Sequence, residues 1–278
     1  MSAVETDPVV MLEARNLVKE FRSGTGVKRF GGTSTFRAVD DVSLTLRQGQ
    51  VTALVGQSGS GKSTVARLLA QLYPLTSGEI LLEGRPVRAT KGRAFTDYCG
   101  SVQMTLQDPF ASLNPLHRVG HILGRALRIH GKARGGDEVT AASLRLLERV
   151  NLRPAERYLA RFPHELSGGE RQRVSFARAL AAEPKVLLAD EPVSMLDVTI
   201  RKEMLDLLDA LRREEQLAVL YITHDLGSAR SYSDETVVMY HGRVVESGPS
   251  RELIADPQHE YTRRLLAAAP DPRRRLTT

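Results

Sequence analysis

The stretch from Gly56 to Thr64, GQSGSGKST, constrains the fold of this chain more than any other feature. It has the spacing G-x-x-x-x-G-K-[ST] of a phosphate-binding P-loop. The apolar run Val51 to Val55 precedes it and predicts a buried strand. Apolar residues at helical spacing follow it, at Val65, Leu68, Leu69 and Leu72. Strand, glycine-rich turn and helix are the context that the motif requires, so we expect a parallel α/β core that begins at Val51.

The chemistry of this loop is that of an anion cradle. Its glycines allow positive φ and a close approach to a ligand, and its N–H groups point inward at the positive end of a helix. Lys62 can reach the β- and γ-phosphates of a nucleotide, and the Ser63 hydroxyl can bind Mg²⁺. A Gly/Ser turn that binds nothing is the weaker alternative, because a strand and a helix flank the motif. We expect the nucleotide to contact Gly56, Ser58, Gly59, Ser60, Gly61, Lys62, Ser63 and Thr64.

Composition describes an ordinary globular protein. The chain has 278 residues, of which 41% are hydrophobic and 26% charged, so one large domain or two small ones can form a core. The net charge of +6 is interspersed with acidic residues, and the dense basic run is Arg273 to Arg275. We therefore predict no nucleic-acid partner. The single cysteine, Cys99, excludes an intrachain disulfide and a four-cysteine iron–sulfur cluster within this chain.

The sequence also bears on membrane insertion. It has no uninterrupted apolar run of about 18 residues, so no transmembrane helix is predicted. The first residues include Glu5 and Asp7 and lack a basic segment followed by an apolar one, so no signal peptide is predicted. We therefore expect a cytosolic chain, unless a partner holds it at a membrane.

The hydrophobic patterns predict the order of the elements. Alternation predicts antiparallel strands over Met11–Phe21 and Phe36–Leu46, and Gly78–Val87 predicts a hairpin. Helical patterns then occupy the middle of the chain before strands and helices alternate again. The predicted organisation is a flexible N-terminus (residues 1–10), an antiparallel β subdomain with the first part of the P-loop core (11–114), a helical subdomain (115–165), the rest of the core (166–248) and a C-terminal extension (249–278).

A second part of the nucleotide site, with two acidic residues, is predicted at the end of the apolar strand in VLLADE, residues 186–191. Asp190 lies at the carboxyl end of that strand, where ligands bind in open α/β sheets, and can hold Mg²⁺. Glu191 follows and can orient or deprotonate the water that attacks the γ-phosphate. Two solvated acids before a Pro turn are the alternative, which a neighbouring P-loop makes weak.

The sequence LSGGE, residues 166–170, predicts a second helix start that can bind an anion. Ser167, Gly168 and Gly169 would present the hydroxyl and backbone N–H groups. A capping box between Ser167 and Glu170 explains the same pattern, and the two interpretations are compatible. The sequence thus permits a nucleotide that lies between the P-loop of one chain and the Ser-Gly-Gly of another.

These motifs, in this order, resemble those of the ATP-binding subunits of ABC transporters. To the P-loop, LSGGE and VLLADE the chain adds Gln107, the segment Ser194–Asp197 and His224 after an apolar strand. The resemblance extends from Met11 to about Pro270. It implies an α/β P-loop NTPase of the ABC cassette type, with a RecA-like core, an N-terminal antiparallel β subdomain and a helical subdomain.

The resemblance also implies roles for single residues. Gln107 would sense Mg²⁺ and water, His224 would contact the γ-phosphate, and Asp197 would communicate across a dimer. An N-terminal aromatic ring would stack on adenine. Phe21 fits that position best, and Phe30 and Phe36 are rivals. Without the resemblance, His224 would be interpreted as a surface or helix-capping residue.

A finer resemblance is to the oligopeptide, dipeptide and nickel uptake group, and to the second of its two ATPases. It rests on LQDPFASLNP, on FPHELSGGERQRV and on the C-terminal extension. Residue 170 is Glu where this group usually has Gln, a replacement that should be tolerated. Some members have a C-terminal cysteine cluster that binds iron and sulfur. This chain has Cys99 only, so we expect ATP and Mg²⁺ as ligands and no iron–sulfur cluster.

The implied function is ATP hydrolysis that drives import of peptides or a related solute. The implied partners are a second ATP-binding subunit (a paralogue or another copy), two transmembrane permease subunits and, indirectly, an extracytoplasmic solute-binding protein. Residues 109–115 would face the permeases, and the chain would lie on the cytoplasmic face of the membrane. The alternatives are an ATPase of a soluble assembly like those that degrade phosphonates, and an ABC ATPase without transport.

Overall fold

The computed structural model describes residues 8–22, 35–88, 90–108 and 112–268. Phe30, Pro109 and the run Arg273–Arg275 lie outside these residues. The strands are β1 (Val10–Arg22), β2 (Thr35–Arg47), β3 (Val51–Val55), β4 (Ser77–Leu82), β5 (Arg85–Pro86), β6 (Val102–Thr105), β7 (Val186–Asp190), β8 (Ala218–Thr223), β9 (Glu235–Tyr240) and β10 (Arg243–Pro249).

The α-helices are α1 (Lys62–Leu69), α2 (Gly92–Ser101), α3 (Val119–Ile129), α4 (Gly136–Arg149), α5 (Ala155–Leu159), α6 (Gly168–Leu180), α7 (Val198–Glu215), α8 (Leu226–Tyr232), α9 (Ser250–Ala255) and α10 (Glu260–Ala268). A 3-10 helix spans Pro163–Glu165. Residues 115–165 are therefore rich in helices, and their status as a separate subdomain remains a prediction. No described helix is both long and apolar enough to cross a membrane.

Two sheets confirm the predicted fold class. The first has the order β2-β1-β4-β5, with antiparallel pairing throughout. The second has the order β10-β9-β3-β8-β7-β6. Within it β3 pairs in parallel with β8 and β9, and β7 pairs in parallel with β6 and β8. The strands β3, β7 and β8 are buried along their whole length, because hydrophobic clusters cover both faces of the sheet.

The parallel strands end at one edge of the second sheet. The P-loop follows β3, Gln107 follows β6, Glu191 follows β7 and His224 follows β8. The carboxyl ends of parallel strands form the ligand-binding edge of an open α/β sheet. The topology therefore collects four motifs that are far apart in the sequence.

The prediction that Leu72 belongs to the apolar face of the P-loop helix is wrong. The helix ends at Leu69, and Leu72 is 59% exposed. Gln71 has a φ of +58°, and its N–H donates to Leu68 O, while the Leu72 N–H donates to Arg67 O. This left-handed residue closes the last helical turn and directs the chain away before Leu72.

Two other boundaries and one helix differ from the sequence predictions. The first strand begins at Val10, inside the segment predicted to be flexible, because Val9 O accepts a hydrogen bond from the Gln48 N–H. The second arm of the hairpin after β4 has two residues only. Helix α2 was not predicted, although Phe95, Tyr98 and Cys99 have helical spacing, and Tyr98 is its one buried residue.

Candidate active site

The P-loop has the conformation that its glycines predict. Gly61 directly precedes α1 with a φ of +103°, and a Cβ there would lie 2.5 Å from Ala38 O. A Cβ on Gly56 would lie 2.3 Å from Met239 O. Any larger residue at either position would therefore collide with backbone. Within this loop, Ser60 Oγ is buried without a hydrogen-bond partner among the described residues.

Lys62 folds back over the loop. Its Nζ donates to Gly56 O at 2.6 Å and to Gln57 O at 2.9 Å, and the residue is 4% exposed. Burial lowers the pKa of Lys62, while the nearby carboxylates of Glu191 and Asp190 oppose that shift. An ammonium group has three N–H donors, so the two carbonyl oxygens fix its position and leave one donor for a phosphate oxygen.

Ser63 and Asp190 form the predicted metal-binding pair. Ser63 Oγ donates to Asp190 Oδ1 at 3.0 Å, and Asp190 is 2% exposed. Burial raises the pKa of Asp190, and the Ser63 hydrogen bond opposes that shift. No group of three or more His, Cys, Asp or Glu side chains within the described residues could hold a metal ion. One carboxylate and one hydroxyl nevertheless fit Mg²⁺, which takes hard oxygen ligands and completes its shell with phosphates and water.

Glu191 lies directly after β7 with a φ of +43°, which is unusual for a residue with a side chain. Its Oε2 accepts a hydrogen bond from Gln107 Nε2 at 2.9 Å. The same oxygen lies 3.8 Å from His224 Nδ1. The structure thus joins the three predicted catalytic residues, Glu191, Gln107 and His224, although they follow different strands.

A cleft of about 520 Å³ contains most of the predicted nucleotide contacts, and a volume of this size is ordinary for a small-molecule site. It is lined by Phe21, Phe36, Ala38, Ser58, Gly59, Gly61, Lys62, Ser63, Thr64, Gln107, Glu191 and His224. Asp190, Gly56 and Ser60 do not line it, but Asp190 accepts a hydrogen bond from the lining residue Ser63. We name it the P-loop cleft.

Two of the three aromatic residues predicted to stack on adenine line this cleft. Phe21 and Phe36 are opposite each other in the pairing of β1 with β2. The Phe21 ring packs edge-on against Tyr73, with centroids 5.6 Å apart. Phe36 is 62% exposed. Both rings line the cleft, so both are candidates for the predicted contact with adenine.

The LSGGE motif forms a separate cleft of about 580 Å³, the signature cleft. Ser167 is the N-cap of α6: its Oγ accepts the Glu170 N–H at 3.2 Å, and Glu170 Oε2 accepts the Ser167 N–H at 2.8 Å. Gly168, Gly169 and Asp197 line the same cleft. Asp197 also caps α7 by accepting the Ile200 N–H at 3.0 Å. The capping-box interpretation is confirmed, and the motif still faces a cleft.

Sequence reasoning missed two tyrosines that contact these motifs. The Tyr158 hydroxyl donates to Glu170 Oε1 at 3.0 Å, which ties α5 to the start of α6. The Tyr261 hydroxyl accepts a hydrogen bond from the backbone N–H of Gln57 in the P-loop at 3.0 Å. No sequence motif connects either tyrosine with its partner, which is 12 positions away for Tyr158 and 204 for Tyr261.

Comparisons with known proteins identify the family and several relatives of this chain. Residues 39–194 match the family described as ABC transporter. The peptidoglycan transport ATP-binding protein YejF of Agrobacterium fabrum is 43% identical over 272 residues, which cover 96% of this chain and 48% of that protein. The glutathione import ATP-binding protein GsiA of Salmonella typhi is 43% identical over 98% of this chain and 44% of its own length. The chain thus spans about half the length of these relatives.

Two further similarities extend over most of both compared chains. The oligopeptide transport ATP-binding protein OppF of Streptococcus mutans is 40% identical over 94% of this chain and 84% of that protein. Among solved structures, a dimeric ATP-binding cassette in a post-hydrolysis state with bound ADP and Pi superposes with a TM-score of 0.74 at 27% identity. That superposition covers 87% of this chain and 99% of the other.

Proposed function

The chain belongs to the ABC transporter family of ATP-binding proteins, and on that premise we propose that it hydrolyses ATP to drive solute import. The observation that carries this proposal is the contact of Gln107 and Glu191 in the same cleft as the P-loop. The relatives are named for oligopeptide transport, glutathione import and peptidoglycan transport. We therefore propose peptides or a related solute as the cargo.

Nucleotide binding would use the groups that already converge on the cleft. The P-loop N–H groups and the start of α1 provide positive potential for the phosphates. Lys62 would keep its two carbonyl partners and donate its third N–H to the β- and γ-phosphates. Ser63 and Asp190 would hold Mg²⁺, which neutralises charge on the phosphate oxygens when it is bound. Phe21, or Phe36 opposite it, would stack on adenine.

Hydrolysis would use the residues joined at Glu191 Oε2. Glu191 accepts a proton from water as the water oxygen forms a bond to the γ-phosphorus. The bond from the γ-phosphorus to the bridging oxygen breaks, and the products are ADP and inorganic phosphate. Gln107 orients the water and Glu191, and His224 contacts the γ-phosphate. Gln107 would also provide an oxygen ligand for Mg²⁺.

The active site would be completed by a second cassette. Among the described residues, the P-loop cleft and the signature cleft share none of their lining residues. Ser167, Gly168, Gly169, Glu170 and Asp197 would therefore contact the nucleotide bound to another chain. That chain is a second copy or a paralogue. The solved cassettes that resemble this one include dimers.

The remaining partners follow from an importer. Two transmembrane permease subunits would hold the chain at the cytoplasmic face of the membrane, and an extracytoplasmic solute-binding protein would act through them. Co-purification of the chain with permease subunits supports this assignment. A stoichiometric complex with soluble enzymes and no permease would contradict it.

The chemical test is phosphate release by the purified chain and by Glu191→Gln. We expect the variant to retain ATP binding and to lose at least about 100-fold in turnover, since a general base contributes about 10²–10⁴-fold. Glu214→Gln, an exposed change on α7, is the matched control. Turnover by Glu191→Gln at the wild-type rate would refute the role of Glu191. Absence of ATP hydrolysis in the wild-type chain with its partner subunits would refute the proposed function.

A further inference from the structure

The C-terminal extension contacts the P-loop through one hydroxyl group. Tyr261 is the second residue of α10, and its Oη accepts a hydrogen bond from the Gln57 N–H at 3.0 Å. The two residues are 204 positions apart, and Tyr261 is 8% exposed. This is a direct link between the end of the described chain and the loop that would bind phosphate.

The hydrogen bond fixes one peptide unit. The Gln57 N–H and the Gly56 carbonyl belong to the same planar peptide group and point in opposite directions. Gly56 O accepts from Lys62 Nζ at 2.6 Å. Tyr261 therefore holds one side of the peptide whose other side holds the Lys62 ammonium.

The hydroxyl is itself held in place. The Tyr261 ring packs against the Tyr240 ring, with centroids 4.2 Å apart and planes tilted by 31°. The turn after Tyr240 reaches the same loop, because the Gly242 N–H donates to Ser60 O at 3.0 Å. Glu246 anchors the residues directly before α10. Its carboxylate accepts hydrogen bonds from the backbone N–H groups of Gln258 and His259 at 2.7 and 3.1 Å.

We propose that Tyr261 is a positioning residue for the nucleotide site, acting through the Gly56–Gln57 peptide on Lys62. The proposal rests on the proposed nucleotide-binding function. Tyr261 does not contact the substrate in this scheme. It restricts the orientation of the Gly56 carbonyl, so that the Lys62 ammonium stays at the phosphate-binding position. Preorganisation of this kind strengthens binding by lowering the cost of ordering the site.

The test is the affinity of the full chain for the fluorescent probe N-methylanthraniloyl-ADP with Mg²⁺. Tyr261→Phe removes only the hydroxyl and leaves the ring on Tyr240. We expect the Kd of the probe to rise about 2- to 10-fold, the range for one neutral hydrogen bond. Tyr232→Phe is the matched control, because it removes a hydroxyl that bonds to Asp206 Oδ1 at 2.9 Å and lies outside both clefts.

A double-mutant cycle separates positioning of Lys62 from general support of the fold. If Tyr261 acts through Lys62, then Tyr261→Phe should change the Kd less than about 2-fold in a Lys62→Ala background. Equal fold-changes in the two backgrounds would overturn the proposal. An unchanged Kd for Tyr261→Phe in the wild-type background would also overturn it.

A second measurement does not depend on nucleotide. Hydrogen exchange at the Gln57 amide should be faster in Tyr261→Phe than in wild type and unchanged in Tyr232→Phe. Unchanged exchange in Tyr261→Phe would contradict the hydrogen bond itself. A wild-type chain that does not bind the probe would refute the proposed function, whereas a wild-type chain that binds while Tyr261→Phe matches it would refute this inference alone.

Discussion

The side-chain amide of Gln107 donates a hydrogen bond to Glu191 Oε2 at 2.9 Å. The bond connects the segment after β6 with the carboxylate after β7, across 84 positions of sequence. His224 Nδ1 lies 3.8 Å from the same oxygen. A movement of the segment that carries Gln107 would therefore change the orientation of the proposed general base.

Removal of this amide should reduce turnover more than nucleotide binding. In Gln107→Ala, Glu191 loses the partner that orients its carboxylate, while Lys62 and the P-loop keep their contacts. We expect kcat for ATP hydrolysis to fall about 10- to 100-fold, a fraction of the general-base contribution, with less than about a 3-fold change in ATP affinity. Steady-state phosphate release and equilibrium binding test this prediction. Gln216→Ala, on an exposed residue after α7, is the control. A large loss of affinity with kcat unchanged would contradict it.

The buried carboxylate of Asp190 should lower the free energy of unfolding of the metal-free chain. Its raised pKa means that the folded environment disfavours the charged carboxylate, because burial outweighs the Ser63 hydrogen bond. Asp190→Asn keeps an oxygen that can accept this hydrogen bond. We expect the free energy of unfolding at pH 7 to rise by about 0.5–2 kcal/mol, as for other stabilising changes at functional sites. Mg²⁺-dependent ATP binding should be lost in the same variant.

The pH dependence of this difference has a definite sign. Protonated Asp190 is neutral, as asparagine is. The stability advantage of Asp190→Asn should therefore shrink as the pH falls through the folded-state pKa of Asp190 and stay constant well above it. Urea denaturation of both proteins at several pH values measures the difference. An advantage that grows with falling pH would contradict the burial argument.

Paired substitutions decide which aromatic ring stacks on adenine. Phe36 is exposed and loses little protein packing when it is truncated, whereas the Phe21 ring packs on Tyr73. The sequence resemblance favours Phe21, so Phe21→Ala should weaken ATP binding by about 1–3 kcal/mol, the size of a base–aromatic stacking contact. Phe36→Ala should change it much less. Because Phe21→Ala also removes the Tyr73 contact, Phe21→Leu and a thermal unfolding measurement serve as controls. A larger effect of Phe36→Ala would transfer the role to Phe36.

The cap of α6 should contribute to stability independently of catalysis. Ser167→Ala removes the oxygen that accepts the Glu170 N–H. We expect the free energy of unfolding to fall by about 0.5–2 kcal/mol, measured by urea denaturation of the isolated chain. Ser167→Asp should retain most of the stability, because aspartate is also a good N-cap. If Ser167→Asp is stable but inactive with its partner subunit, this position has a role beyond capping, because the added carboxylate would repel a phosphate bound there.

The sequence determined the local features of this protein. The P-loop, the strand that ends at Asp190 and the capping box at Ser167 are each encoded within about ten residues, and periodicity shows which strands are buried. The P-loop context predicted a parallel α/β core, and the order of the motifs predicted the full fold class through the resemblance to ABC transporter subunits. The helix prediction was wrong at Leu72, because the left-handed residue Gln71 closes the helix before it.

Only the tertiary structure decided which distant groups meet. Glu191 Oε2 accepts the Gln107 amide and lies 3.8 Å from His224 Nδ1, and Tyr261 reaches the Gly56–Gln57 peptide. These contacts depend on the packing of whole elements. Periodicity specifies which face of an element is buried, not which hydroxyl or amide it meets there. A hydrogen bond forms within a few tenths of an ångström, and that precision is set by the packed core rather than by sequence spacing.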